Sequence, residues 1–321
     1  MERKLISIIA PVFNEEDCIK ELANRLSAVF ETNKDYDFEV IFIENGSTDQ
    51  TWNILEALYK TDNRFKVVQL ARNFRMDGGI TAGLEFATGD AAVIMASDLQ
   101  DPPELITDFI KKWEEGYENI YMVVKKRTGT GPLRRFNSIA FYWLAGKLTR
   151  NQIPRNASDF RLVDRKVYEV VRGMDERNRF VRGLFSWVGF RSIGIEHDRL
   201  QRYAGESKAH SMKVIDLAFK GIFAHSYIPL RLITLLGITL SVLSIFALVI
   251  LVVVAILFGV PFAGFGTIVA IILLLSGLLF LMIGIVAEYV GLVYEEVKQR
   301  PNFVVRTTLG VFLSSSKKDP Q

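Results

Sequence analysis

Apolar positions change their rhythm along the chain, and the changes divide it into parts. Four short runs rich in Val and Ile, Lys4 to Pro11, Phe38 to Glu44, Phe65 to Ala71 and Ala91 to Ser97, are each followed by polar or Gly-containing residues and then a helix-like stretch. Runs this short, bounded by turn residues, predict strands. Strands that alternate with helices predict an α/β domain with a mainly parallel sheet covered on both faces. A further strand is expected near Ile120 to Val124, then the basic segment Lys125-Lys126-Arg127, a Gly-rich turn and a helix from about Pro132 to Leu148.

A second rhythm begins after Tyr227. Pro229 to Phe258 and Gly264 to Val293 are almost entirely apolar, and each exceeds the ~20 residues that span a bilayer. The link from Gly259 to Ala263 is short and uncharged, which predicts a two-helix transmembrane hairpin with both chain ends on one side. Just before it, Val214, Leu217, Ala218, Ile222 and Phe223 recur at helical spacing with Lys213 and Lys220 among them, the pattern of a helix lying in the membrane interface. Arg231 precedes the first apolar stretch and Lys298, Arg300 and Arg306 follow the second. The positive-inside rule then places the large domain and both termini in the cytoplasm. The expected organisation is a catalytic domain over 1–210, an interfacial helix over 211–228, two membrane helices over 229–294 and a cytoplasmic tail over 295–321. Gly237, Gly277 and Gly284 offer small residues for helix packing, so a homo-oligomer is expected.

Charge and composition refine this. A net charge of +3 over 321 residues is too small to argue for nucleic acid and suits an anionic membrane surface. The first apolar run ends in Asn14-Glu15-Glu16 and reads as a strand, not a signal peptide. Cys18, the single cysteine, cannot form an intramolecular disulfide, and the three histidines lack metal-ligand spacing. Gly78-Gly79 and Gly83 fit no phosphate-loop pattern; Gly78-Gly79 reads as a helix-start turn.

Ligands of such sheets bind beyond the carboxyl ends of the strands. The candidate chemistry therefore sits in Asn14-Glu15-Glu16, Glu44-Asn45-Gly46-Ser47-Thr48-Asp49, Arg72-Asn73 and Asp98-Leu99-Gln100-Asp101. Asp98, at the end of its strand, stands where a carboxylate can hold a hard divalent cation against a diphosphate. Gln100 falls on the same side if the chain stays extended and adds a neutral oxygen. Asp101, ahead of Pro102-Pro103-Glu104, has the signature of a helix N-cap.

In order and spacing, Pro11-Val12-Phe13-Asn14-Glu15-Glu16, the Glu44 to Asp49 segment and Asp98-Leu99-Gln100-Asp101-Pro102-Pro103 resemble the motifs of family 2 glycosyltransferases with the Rossmann-like GT-A fold. Asp159-Phe160-Arg161-Leu162, Arg179-Phe180-Val181-Arg182-Gly183-Leu184, Gly205-Glu206-Ser207-Lys208 and the terminal hairpin make the chain similar to polyprenyl-phosphate glycosyltransferases, among them bactoprenol glucosyltransferases and dolichol-phosphate mannose synthases. The resemblance runs from Ile6 to about Arg306.

It implies that Pro11, Asn14, Glu15, Glu44, Asn45 and Asp98 bind the nucleotide, that Asp98 and Gln100 hold Mg2+ or Mn2+, and that Asp159 is the acid usually assigned as catalytic base. It also implies an acceptor-phosphate site at Arg127, Arg134 and Ser138; Arg199, Arg202, Ser207 and Lys208, on a polar stretch just before the interfacial helix, are expected to close over the diphosphate once the donor is bound. The implied reaction is inverting transfer of a sugar from a nucleotide sugar to polyprenyl phosphate at the cytoplasmic membrane face. UDP-glucose and an undecaprenyl-type lipid lead; GDP-mannose, UDP-N-acetylglucosamine and an aminoarabinose donor stay open.

Two departures from the family pattern matter. Glu44-Asn45 replaces the usual pair of aspartates, and Ala96 replaces the first acid of Asp-x-Asp. A phosphate monoester with a second pKa of about 6 is already mostly ionised at neutral pH, so Asp159 is expected to orient acceptor or sugar more than to remove a proton. A processive synthase would need more than two spans and a Gln-x-x-Arg-Trp segment, which the chain lacks. A non-catalytic partner in lipid-linked sugar transport is suggested by Ala96 and opposed by Asp98, Gln100 and Asp159 together.

Overall fold

The computed structural model describes residues 3–125, 156–177, 179–199, 228–258 and 264–311. Eight strands form one sheet: β1 (Lys4–Val12), β2 (Tyr36–Glu44), β3 (Phe65–Leu70), β4 (Ala91–Ile94), β5 (Asn119–Val124), β6 (Ala157–Asp164), β7 (Ser192–His197) and β8 (Val305–Leu309). Their order is β7-β5-β6-β4-β1-β2-β3-β8. Strands β4, β1, β2 and β3 run parallel, as do β5 and β7, while β6 is antiparallel to β4 and β5, and β8 to β3. The sheet is thus mixed and mainly parallel, the α/β arrangement expected of a GT-A-like domain. Strand order reverses between β1 and β4, and the carboxyl ends of those two strands flank the resulting crevice.

The two-residue period of the strands sorts the core. Ile6, Ile8 and Ala10 of β1 join Val40 and Phe42 of β2 on one face, where helix α1 (Ile19–Thr32) supplies Ile19, Leu22, Leu26, Val29 and Phe30. Helix α4 (Ile106–Glu114) adds Phe109, Ile110 and Trp113 to that face. Ile9, Ile41 and Ile43 point to the other face. It is covered by α3 (Arg75–Phe86), α5 (Arg165–Arg172) and α6 (Val181–Trp187). Burying side chains such as Phe109 contributes about 1.5–3 kcal/mol each. Helix α2 (Thr51–Thr61) packs with Leu55 inward.

Several local expectations are corrected. Strand β4 stops at Ile94, not Ser97; Met95 still donates its N–H to Ile9 O at 3.0 Å, and then the chain leaves the ladder. Gly78 and Gly79 lie inside α3, not in a turn before it. A methyl group on Gly79 would come within 2.8 Å of Asn45 Nδ2, and one on Gly83 within 2.1 Å of Ile9 Cγ2, so these glycines let α3 lie close against the sheet. The segment after the long helices carries an unforeseen edge strand, β8.

The chain divides into two compact units, Met1–Val214 with Gln299–Gln321, and Ile215–Lys298. The second contains two continuous helices, α7 (Ile228–Phe258) and α8 (Phe265–Lys298). Where the sequence predicts two membrane spans, one stretch among the described residues, Leu274–Lys298, is long and apolar enough to cross a bilayer by length and composition. The helices expected near 132–148 and 211–226 and the link at 259–263 lie outside the described residues.

Candidate functional site

Loops leaving β1 and β2 are laced together at the carboxyl edge. Asn14 adopts a left-handed conformation (φ 52°), which asparagine tolerates better than most residues. Its N–H donates to Ser47 Oγ at 3.0 Å, and its Oδ1 accepts from Thr48 N at 2.8 Å. Glu15 N donates to Thr51 Oγ1 at 3.1 Å, and Glu16 Oε2 accepts from Gln50 N at 2.8 Å. Glu44 is fully buried; one carboxylate oxygen accepts from Ser47 N, and Oε2 has no hydrogen-bond partner. A buried acceptor left in that state is costly unless a ligand donor reaches it after the loop shifts. Asn45 donates its N–H to Val12 O at 2.9 Å and accepts from Phe74 N at 3.2 Å, joining a third loop to the first two. Cys18, at the start of α1, is buried, and burial together with Glu15 pushes its thiol up to about 11.

The loop after β4 is not extended. Leu99 is buried and left-handed (φ 58°), a strained choice for leucine, and it folds the chain so that Gln100 N donates to Asp98 Oδ1 at 3.3 Å. The expected side-by-side placement of Asp98 and Gln100 on an extended strand is replaced by this tight turn. Asp101 does not cap a helix. The short 3-10 turn Pro103–Leu105 begins after Pro102 without a side-chain cap. Asp101 instead points across to β6, accepting from Ser158 Oγ at 3.3 Å with Arg199 Nε 3.4 Å from its Oδ1. Burial, with Asp98 and Asp159 nearby, pushes its carboxyl up to about 6, against the pull of Arg199.

Asp159 lies within β6. Arg182, on α6, donates to its two carboxylate oxygens at 2.8 and 2.6 Å in a forked pair. Burial raises the Asp159 carboxyl, but Arg182, with Arg161 and Arg199 beyond it, outweighs burial and holds it below the usual carboxylate range. Arg161 is buried, donates to Ser158 O at 3.2 Å and sits 5.0 Å from the Phe185 ring centroid; burial lowers its guanidinium to about 10. Asp77 of α3 accepts from Val181 N at 3.0 Å, fixing the start of α6.

Pro11, Asn14, Glu15, Glu44 and Asn45 are thus brought together by the β1 and β2 loops, and Ser97 Oγ ties the β4 loop to Pro11 O at 3.0 Å. Arg199 reaches the same edge through its pairing with Asp101, and Asp159 lies near enough to raise the Asp101 carboxyl. Arg127, Arg134, Ser138, Arg202, Ser207 and Lys208 lie outside the described residues. Sequence reasoning gave Arg182 and Asp77 no role. Arg182 stood inside a quoted motif, yet its partner is 23 positions away and on another element.

Asp98 offers one carboxylate and Gln100 one amide oxygen, the kinds of donor that Mg2+ or Mn2+ combine with water and substrate phosphate. Among the described residues no group of three or more His, Cys, Asp or Glu forms a protein cage for a metal. The Asp101 carboxylate beside Asp98 has its positive partner in Arg199, 3.4 Å from its Oδ1.

The model of the family "Glycosyl transferase family 2" matches residues 7–172. An uncharacterized glycosyltransferase of Synechocystis is 38% identical over 95% of this chain and 96% of its own length. The bactoprenol glucosyl transferase of Shigella phage SfII is 36% identical over 94% of this chain and 97% of its own. Among solved structures, glucosyl-3-phosphoglycerate synthase of Mycobacterium tuberculosis, in complex with Mn2+, UDP-glucose and phosphoglyceric acid, is 18% identical with a TM-score of 0.47, covering 68% of this chain and 78% of that one.

Proposed function

We infer the function from one premise: the chain belongs to glycosyl transferase family 2 and is a sugar-transferring enzyme. The reading supported best is inverting transfer of glucose from UDP-glucose to an undecaprenyl-type phosphate at the cytoplasmic face of the membrane. The observation that carries it is the end-to-end likeness to a bactoprenol glucosyl transferase, long helices included.

In this reaction an oxygen of the acceptor phosphate attacks the anomeric carbon, the bond from that carbon to the nucleoside diphosphate breaks, and configuration inverts. Pro11, Asn14, Glu15, Glu44 and Asn45 hold the nucleoside end. Asp98 and Gln100 would hold the divalent cation, which would supply Lewis-acid charge neutralisation on the departing diphosphate. Arg199, released from Asp101, joins Arg202, Ser207 and Lys208 at the diphosphate, while Arg127, Arg134 and Ser138 receive the acceptor phosphate. Asp159 orients acceptor or sugar.

The edge strand supports two membrane crossings. Strand β8 pairs with β3, so a chain that enters a bilayer after the catalytic domain must be back on the starting side by Val305. One crossing fails that condition and two meet it, which supports reading α7 as well as α8 as a span, with the tail on the side of the catalytic domain.

The test is to incubate the full-length protein with polyprenyl phosphate and a panel of radiolabelled nucleotide sugars, with and without Mg2+, and to follow label into the lipid phase. Glucosyl lipid from UDP-glucose is expected. A product from GDP-mannose alone would replace the sugar, and no lipid product from any donor would overturn the reading.

A further inference from the structure

We propose that Arg182 is a positioning residue whose forked pair fixes the Asp159 carboxylate as a standing anion in the transfer site, so that Asp159 orients the reactants and does not take a proton. This rests on the reading that Asp159 lies in the transfer site.

The geometry points to a built arrangement. Both Asp159 oxygens accept from one guanidinium, Oδ1 from Nε and Oδ2 from Nη2. Protonating either oxygen would remove a charge-assisted acceptor from a planar two-bond fork, which is stronger than two separate neutral bonds. The guanidinium is presented from a segment fixed behind it. Asp77 Oδ1 accepts from Val181 N, and Val181, Leu184 and Phe185 are buried in the second-face core. Each partner's side chain keeps about a third of its surface exposed (29% for Arg182, 31% for Asp159), so the pair is open to reactants.

The charged groups facing Asp159 come from several elements. Arg182 approaches from α6, Arg161 from β6 itself, Arg199 from the end of β7, Asp77 from α3 and Asp101 from the β4 loop. The three arginines favour the anion, and the two acids oppose it. With Arg182 removed, burial gains on the remaining cations and the carboxyl becomes easier to protonate.

N,N′-Dicyclohexylcarbodiimide adds to protonated carboxyl groups and reports their state without any turnover. Full-length protein in lipid nanodiscs is treated between about pH 5 and pH 8, and the Asp159 peptide is read by mass spectrometry. The wild type is expected to stay nearly unlabelled, Arg182→Gln to label about tenfold more near pH 5.5, and Arg182→Lys, which keeps charge without the fork, to fall between. In parallel, Arg182→Gln is expected to lower kcat about tenfold or more while donor KM stays within about twofold. Its acid limb should move to higher pH.

Equal Asp159 labelling in wild type and Arg182→Gln would overturn the proposal, as would unchanged kcat. UDP-glucose binding by calorimetry serves as the folding control, and if Arg182→Gln fails it, Arg182→Lys decides by the same two measurements. Should the wild type make no lipid-linked sugar, the transfer reading fails, while the labelling comparison still decides whether Arg182 holds Asp159 ionised.

Discussion

The N–H of Ala71 donates to the carbonyl of Val304 at 2.8 Å, which stitches a residue beyond the last long helix to the loop that leaves β3. The pairing continues from Val305 opposite Leu70 to Leu309 opposite Val67. Asn302 donates to Glu176 O at 3.0 Å, and Phe303 and Val305 pack against the second-face core. Ending the chain after Lys298 would therefore expose the β3 edge and part of that core. The truncated protein is expected to unfold at a clearly lower temperature and to aggregate, as open edges do. Phe303→Ala should cost about 1–2 kcal/mol, less than full core truncation because the ring is only partly buried. Thermal unfolding of both in nanodiscs checks this; a truncation as stable as the full chain would sink it.

The same strand fixes an expectation for membrane topology. Cys18 is buried, so a membrane-impermeant maleimide should meet little background thiol in intact cells. Ala263→Cys, between the two long helices, should label from outside. Arg300→Cys should label only after the membrane is opened. Labelling of Arg300→Cys in intact cells would contradict an even number of crossings.

Asp77 makes stability depend on pH in a direction opposite to that of Glu39 and Asp62. Burial, with Asp159 close by, raises its carboxyl to about 6 from 3.8, despite Val181 N and Arg182. Between those values the folded protein binds the proton more tightly than the unfolded chain does. Stability from this group is therefore greatest at low pH and falls as pH rises toward 6. Glu39 and Asp62 are shifted down, so their contributions are lost instead as pH falls. Asp77→Asn keeps an acceptor for Val181 N and removes the half-buried charge. It is expected to stabilise by on the order of 1–2 kcal/mol at pH 7 and by little near pH 4. Denaturation of both proteins at the two pH values tests this, and an equal difference at each would rule it out.

What the sequence disclosed follows from the range of the interactions involved. β1 to β3 were readable because each is a Val- and Ile-rich run closed by turn residues. β4 was drawn three residues too long because Met95, which keeps one bond to Ile9, and Ala96 continue its apolar pattern past the strand's end. Asp101 reads locally as a cap, with two prolines behind it, but its partner Ser158 is 57 positions away. Only the folded chain brings them together. β8 has five residues, none of them fully buried; its β-branched Val305, Thr307 and Thr308 suit a strand, but its partner β3 lies far back in the sequence. Asp98 was expected at the end of its strand, but the strand stops at Ile94, and the left-handed Leu99 that turns the chain after Asp98 could not be foreseen, since leucine is a poor candidate for that conformation.

Gly79 and Gly83 share α3 and separate fold from site. Alanine ordinarily improves a helix interior by about 0.8–1 kcal/mol over glycine, so a loss at either position must come from contact. At Gly83 the new methyl meets Ile9 Cγ2 at 2.1 Å in the core, where overpacking costs about 1–3 kcal/mol. At Gly79 it meets Asn45 Nδ2 at 2.8 Å and Pro11 Cβ at 2.9 Å, both at the edge where the nucleotide is proposed to bind. Asn45 has little room to yield, because its Oδ1 holds Phe74 N and its N–H holds Val12 O. Gly83→Ala should thus lower the unfolding midpoint and leave donor KM unchanged. Gly79→Ala should raise donor KM about tenfold with a smaller change in kcat, as expected when uniform substrate binding is weakened. If Gly79→Ala loses stability without any change in donor KM, then Pro11 and Asn45 belong to the packing of α3 and not to the nucleotide pocket.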